Sequence, residues 1–135
     1  MIERAAIETL LKDAYAARVQ GDLVKVMSYF HPECRFHLMG AADVGPACNP
    51  QSGCDAVREH MAGLINTFAF SKFETIDLIV EGERAAHRWR ADVTFIPTGK
   101  TESFEAFDMV TFADGKLLEI TQFTDTASVM RLSLS

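Results

Sequence analysis

The chain has 135 residues, 48% of them hydrophobic and 24% charged, and carries a net charge of −6 from 13 Lys and Arg against 19 Asp and Glu. That size and balance predict one globular domain spanning residues 1–135, with a real core, rather than a disordered segment. Nucleic-acid partners are set aside, because phosphate binding wants a basic stripe and the nearest one, Arg84, Arg88 and Arg90, is broken by Glu83 and Asp92.

Ile7, Leu10, Leu11, Ala14 and Tyr15 recur at three- and four-residue spacing and predict an amphipathic helix over residues 3 to 19, ended by Gly21. Asp22 is placed to cap a short second helix that buries Leu23, Val26, Met27 and Phe30 and stops at Pro32. Residues 34–39 read as a first strand. The stretch from 40 to 53, with Gly45, Pro46, Asn49, Pro50 and Ser52, is a long irregular loop, read either as a lid over a pocket or as a surface excursion. A third helix follows from about 55 to 68 on Val57, Met61, Leu64, Ile65 and Phe68.

The second half reads entirely as strand: 73–81, 85–96, 100–112 and 116–125, joined by turns at Gly82, Pro97-Thr98-Gly99 and Ala113-Asp114-Gly115. Hairpins in succession make an antiparallel meander, and the helices of the first half must cover its concave face. The fold class expected is therefore α+β: a curved, mainly antiparallel sheet and three helices from the N-terminal half enclosing an apolar pocket. Ten phenylalanines against two tyrosines and one tryptophan favour an oily interior.

Side chains alternate across a strand, so Phe104, Ala106, Asp108, Val110 and Phe112 share one face. If that face is inward, Asp108 is desolvated and its pKa rises, giving a neutral acid able to protonate a ligand or donate to an oxyanion. The alternative is a structural carboxylate paired with an arginine or a backbone amide. His87 on the oily face beside Trp89, and His60 on the sheet-facing side of the third helix, are candidate bases or else core histidines. Gln122 offers a donor and an acceptor, Tyr15 a hydroxyl, and Phe36, Leu38, Trp89, Val93 and Val110 an apolar wall.

The outward residues Phe107, Met109 and Phe123 predict an apolar patch that a second copy would cover, with Arg88 and Arg90 meeting Glu105 or Asp92; a homodimer is expected. Cys48 and Cys54 near His60 fit no zinc spacing, so no metal is expected, and the absence of a phosphate loop or nucleophile elbow argues against a nucleotide cofactor or covalent catalysis. No apolar run reaches the roughly 20 residues of a membrane span, and the opening Met-Ile-Glu-Arg lacks a signal-peptide pattern. With Cys34, Cys48 and Cys54 unable to pair completely, a cytoplasmic location is expected.

Several stretches, in this order, resemble the nuclear transport factor 2-like superfamily, in its SnoaL-like and ketosteroid isomerase-related branch. They are Gly21-Asp22-Leu23, Tyr29-Phe30-His31-Pro32-Glu33, Gly53 with Ala56-Val57-Arg58, Arg88-Trp89-Arg90, Phe107-Asp108, Phe112-Ala113-Asp114-Gly115-Lys116 and Phe123-Thr124-Asp125-Thr126-Ala127. The resemblance covers nearly the whole chain and implies a cone-shaped α+β barrel, usually a homodimer, with a pocket in the cone. The fold serves many chemistries, so activity does not follow from it alone.

Set against ketosteroid isomerases, the general base falls at Leu38 and the oxyanion tyrosine at Ala14, with Tyr15 one step off; only the protonated aspartate finds a match, at Asp108. The Asp-Arg-Asp set of limonene-epoxide-hydrolase-like enzymes keeps Asp108 but meets Ala106 and Gln122. These comparisons lead to an expectation of a cofactor-independent acid–base enzyme on a small apolar, carbonyl-containing or polycyclic ligand, with Asp108 as acid and His60 or His87 as base. The rivals are a non-catalytic carrier of a small apolar molecule and a dimeric interaction module whose cavity is filled by its own side chains.

Overall fold

A computed structural model describes residues 3–134. Helix α1 (Arg4–Gln20) buries Ile7, Leu11, Ala14, Ala17 and Arg18 along one stripe and ends at Gly21, whose φ of 70° suits a residue without a Cβ. The Asp22 side chain accepts from the Lys25 amide at 3.1 Å and so opens α2 (Leu23–Ser28). Strand β1 (Phe30–Leu38) starts earlier than expected, because Pro32 does not interrupt it. Pairing with the last strand is irregular between Phe30 and Arg35, so the missing Pro32 N–H costs no ladder bond there.

The long connection after β1 holds two short 3-10 turns, Ala42–Val44 and Pro46–Cys48, and then β2 (Gln51–Ser52), which pairs antiparallel with β1. Helix α3 (Cys54–Thr67) stops just before the expected end, and β3 (Phe68–Glu81) takes over at Phe68. Phe68 and Phe70 pair with Phe95 and Val93 of β4 (Arg84–Phe95), and aromatic residues on a pleated surface gain more from that ladder than from a further helical turn. Two register shifts, between Ser71 and Glu74 and between Thr75 and Asp77, bend the strand.

Strands β5 (Lys100–Ala113) and β6 (Lys116–Thr124) complete a six-stranded sheet of order β2-β1-β6-β5-β4-β3. All neighbours are antiparallel except β1 and β6, so the sheet is mixed, and it curves without closing.

A fourth helix, α4 (Thr126–Leu134), follows β6; the sequence reading ends its last strand at 125 and expects helices only in the first half. Asp125 starts it by accepting from the Ser128 amide at 3.1 Å and from its hydroxyl at 2.6 Å, and Val129 and Leu132 fold back onto Phe104 and Val93. No helix among the described residues is long and apolar enough to cross a membrane.

Candidate functional site

Helices α1 and α3, the connection after β1 and the concave sheet face enclose a cavity of about 110 Å³. By volume that is room for several waters or a molecule about the size of one ring. Tyr15, Phe36, Leu38, Trp89, Val93, Asp108 and Gln122 all line it. Ala14, Leu38 and Ala106, where related enzymes are expected to carry polar groups, line it as apolar wall.

One register row crosses the buried face of the sheet. Leu38 stands opposite Gln122, Gln122 opposite Asp108, and Asp108 opposite His87. Asp108 is 0% exposed. Taking a carboxylate out of water disfavours its charged form, and burial pushes the Asp108 pKa up to about 8, partly opposed by the Gln122 side chain. The acid is therefore mainly protonated at pH 7.

Its two oxygens are not equivalent. Oδ2 accepts from the Tyr15 hydroxyl and, at 3.0 Å, from the Trp89 indole N–H. Oδ1 is buried without a hydrogen bond of normal geometry. Two donors already occupy Oδ2, so the proton of the neutral acid belongs on Oδ1. The Trp89 ring is held by Phe70 at 5.4 Å, Phe73 at 5.2 Å and Tyr15 at 5.8 Å between centroids, which fixes the indole N–H against the carboxyl.

Tyr15, expected to offer a hydroxyl to the cavity, lines it and engages Asp108. Its Cβ leaves α1 at the edge of the buried stripe, yet the long side chain brings the hydroxyl onto Asp108.

The two histidines are packed behind the cavity wall and are not among its lining residues. His87 is buried with Nε2 at 2.9 Å from Thr75 Oγ1, and the Tyr15 ring, which lines the cavity, lies edge-on to it at 4.7 Å. Burial pushes the His87 pKa down to about 4, so the ring is neutral near pH 7. His60 on α3 has Nε2 at 3.2 Å from the Ala47 carbonyl and its ring 5.7 Å from Phe36; burial lowers its pKa. It ties the long connection to α3, and Ala47 beside it lines the cavity. Val110 is fully buried, but in the main core and not on the cavity wall.

Arg18, which the sequence reading passes over, also lines the cavity and is 9% exposed. The signal was present: it follows Leu11, Ala14 and Tyr15 by seven, four and three residues, and so continues their buried stripe.

Cys48, Cys54 and His60 form no metal site: among the described residues no three His, Cys, Asp or Glu side chains gather to hold an ion. On the convex face, Phe107 (40% exposed) stands opposite Phe123 (46%), with Ile79 and Met109 nearby in the same sheet. Arg88 bonds Glu105 within the chain at 2.7 Å, and Arg90 bonds Glu74.

The fold recurs among solved structures. A nuclear transport factor 2-like protein of unknown function from Burkholderia pseudomallei superposes with a TM-score of 0.85 at 19% identity, over 96% of this chain and 98% of that one. A protein provisionally named an isomerase, from Rhodopseudomonas palustris, gives 0.83 at 16% identity over 99% and 98%. TerC, crystallised with polyporic acid, gives 0.81 at 20% identity over 96% and 98%. No curated protein sequence matches the chain. The SnoaL-like domain model, by contrast, matches residues 11–120. The chain thus belongs to the SnoaL-like domain family, within the nuclear transport factor 2-like superfamily.

Proposed function

We propose that this protein is a cofactor-independent enzyme acting on a small apolar, carbonyl-bearing molecule by noncovalent acid–base chemistry, with Asp108 as the acting group. The observation that carries the reading is a protonated carboxyl in an apolar cavity, with the Tyr15 and Trp89 donors on one oxygen, no hydrogen bond of normal geometry on the other, and the Gln122 side chain close by. Oδ1–H is free to donate to a substrate oxygen that displaces the neighbouring Gln122 amide. As the proton moves across, the charge left on the carboxylate is met by Tyr15 and Trp89, already in place and needing no reorganisation. A pKa of about 8 also suits the same group for taking a proton back, because acid and base forms are both accessible near neutral pH.

The sequence points to His60 or His87 as the base. In this reading they become positioning residues, His87 against Tyr15 and His60 beneath the connection that carries Ala47. The family, and neighbours named as an isomerase and as a SnoaL-like polyketide cyclase, support an enzymatic role without choosing the reaction. TerC, crystallised with polyporic acid, supports a small organic ligand for the cavity.

A carrier that binds and does not react is the second reading, favoured by the withdrawal of both histidines from the cavity wall. An interaction module with a self-filled cavity fits less well, given the open space beside Asp108. Homodimerisation through Phe107, Met109 and Phe123 belongs to the proposal too, although Arg88 and Arg90 already have partners within the chain. A monomeric mass in solution would remove it.

Native mass spectrometry of the freshly purified protein, with denaturing extraction, identifies any resident molecule to use as substrate or template. Asp108→Asn keeps the acceptor for Tyr15 and Trp89 but loses the acid. It is expected to bind that molecule within about threefold of wild type while turnover falls by about 10²–10⁴. Unchanged turnover would eliminate the acid role, and binding without turnover in either protein would establish the carrier.

A further inference from the structure

Among the described residues, Arg18 is a buried cation without an anion. Its Nη2 donates to the Phe68 carbonyl at 2.8 Å and to the Leu64 carbonyl at 3.4 Å, at the C-terminal end of α3. The guanidinium stacks over the Phe70 ring, 3.8 Å from its centroid. No carboxylate among the described residues pairs with it, and Nε and Nη1 have no hydrogen-bond partner there. Burial lowers its pKa to about 10, which leaves it charged at neutral pH.

The carbonyls at the end of α3 offset part of the cost of burying this charge, since a helix C-terminus favours a cation. They are neutral dipoles, however, and a buried charge is ordinarily paired with an opposite one. Asp108 does not provide it: it is mainly protonated and engaged with Tyr15 and Trp89. The cavity therefore carries a net positive charge inside a chain whose overall charge is −6.

The two polar poles are connected. Arg18 stacks on Phe70, Phe70 lies 5.4 Å from Trp89, and the Trp89 N–H reaches Asp108 at 3.0 Å. Stacking covers a face of the guanidinium and leaves its edge, the part that recognises a planar carboxylate. We infer that the cavity takes a small apolar molecule with one anionic oxygen group, a carboxylate or an ionised enol, held by Arg18 while its body packs on Phe70 and Trp89 towards Asp108. This rests on the cavity being a ligand site, as proposed above, and adds the charge of the ligand.

Benzoate and benzamide have the same shape and differ in charge. Each is titrated into the full-length protein at neutral pH, with binding read from amide chemical shifts. Wild type is expected to prefer benzoate by about tenfold or more, as a single well-placed charge pair allows. Arg18→Lys retains a preference, and Arg18→Met reduces it to within about twofold, provided its amide spectrum is that of a folded chain. If Arg18→Met does not fold, the wild-type ratio decides: equal affinity for the two probes overturns the inference. So does an unchanged preference in a folded Arg18→Met. Benzamide binding without a benzoate preference overturns only the charge assignment and leaves the acid–base reading intact, whereas failure of both probes at millimolar concentration overturns the ligand site itself.

Discussion

Tyr15 and Asp108, 93 positions apart in the chain, meet in a hydrogen bond from the phenol to Oδ2. Because the Trp89 indole donates to the same oxygen, the contact does more than join helix to sheet: it assigns the acid proton to the other oxygen. The reach of Tyr15 from α1 to β4 and β5 thereby sets the protonation geometry of the cavity.

Removing the phenol hydroxyl tests that link. Tyr15→Phe takes away one donor to a buried acceptor and is expected to cost about 1–2 kcal/mol of stability, read from urea unfolding. A donor to the carboxyl favours its charged form, so the same variant is expected to raise the Asp108 pKa further above about 8. A fall in that pKa would show that Tyr15 does not act on the carboxyl.

Asp108 also predicts how stability varies with pH. Its pKa is 3.8 ordinarily and about 8 in the folded chain, so between those values the folded state holds a proton that the unfolded state has lost. The stabilisation from this group is complete below about 4, declines as pH rises and is gone above about 8. Measured by urea unfolding, the stability of wild type relative to Asp108→Asn is expected to fall steadily from about pH 5 to about pH 8. A difference that stays flat across that window would mean the carboxyl is already ionised.

Gly40 is where the connection over the cavity leaves β1. A Cβ there would come within 2.6 Å of Cys48 Sγ and 3.2 Å of Thr126 Cγ2, so an added methyl pushes both the buried turn at Cys48 and the start of α4. Gly40→Ala is expected to destabilise the chain by about 1–3 kcal/mol, as overpacking does, and to speed amide exchange around Ala47 and Cys48. Wild-type stability and exchange in the variant would show that this connection is not anchored through Cys48.

How much of this was legible in the sequence depends on what period and spacing encode. The alternation of Phe104, Ala106, Asp108, Val110 and Phe112 is observed as five inward, buried residues, because in a strand the period alone decides the face. Period does not encode depth along that face, so His87 and Val110 point inward yet lie behind the cavity wall. For Tyr15, helical spacing gives the direction of Cβ but not the reach of a long side chain. Arg18 was on the right stripe, but charge on a helix ordinarily marks the outer face, and nothing local distinguishes an arginine that points in. Helix α4 carried a capping Asp125 and apolar residues at Val129 and Leu132, signals too short to outweigh the run of strands before it.

If Asp108 keeps its proton in the folded cavity at neutral pH, the chain's single tryptophan, bonded to that very carboxyl, senses it. Trp89 fluorescence, titrated in wild type and in Asp108→Asn, reads the ionisation directly. A transition centred near 8 is expected in wild type and absent from the variant. A wild-type transition near the ordinary carboxyl value of 3.8, or one near 8 that survives in Asp108→Asn, would contradict a retained proton on Asp108.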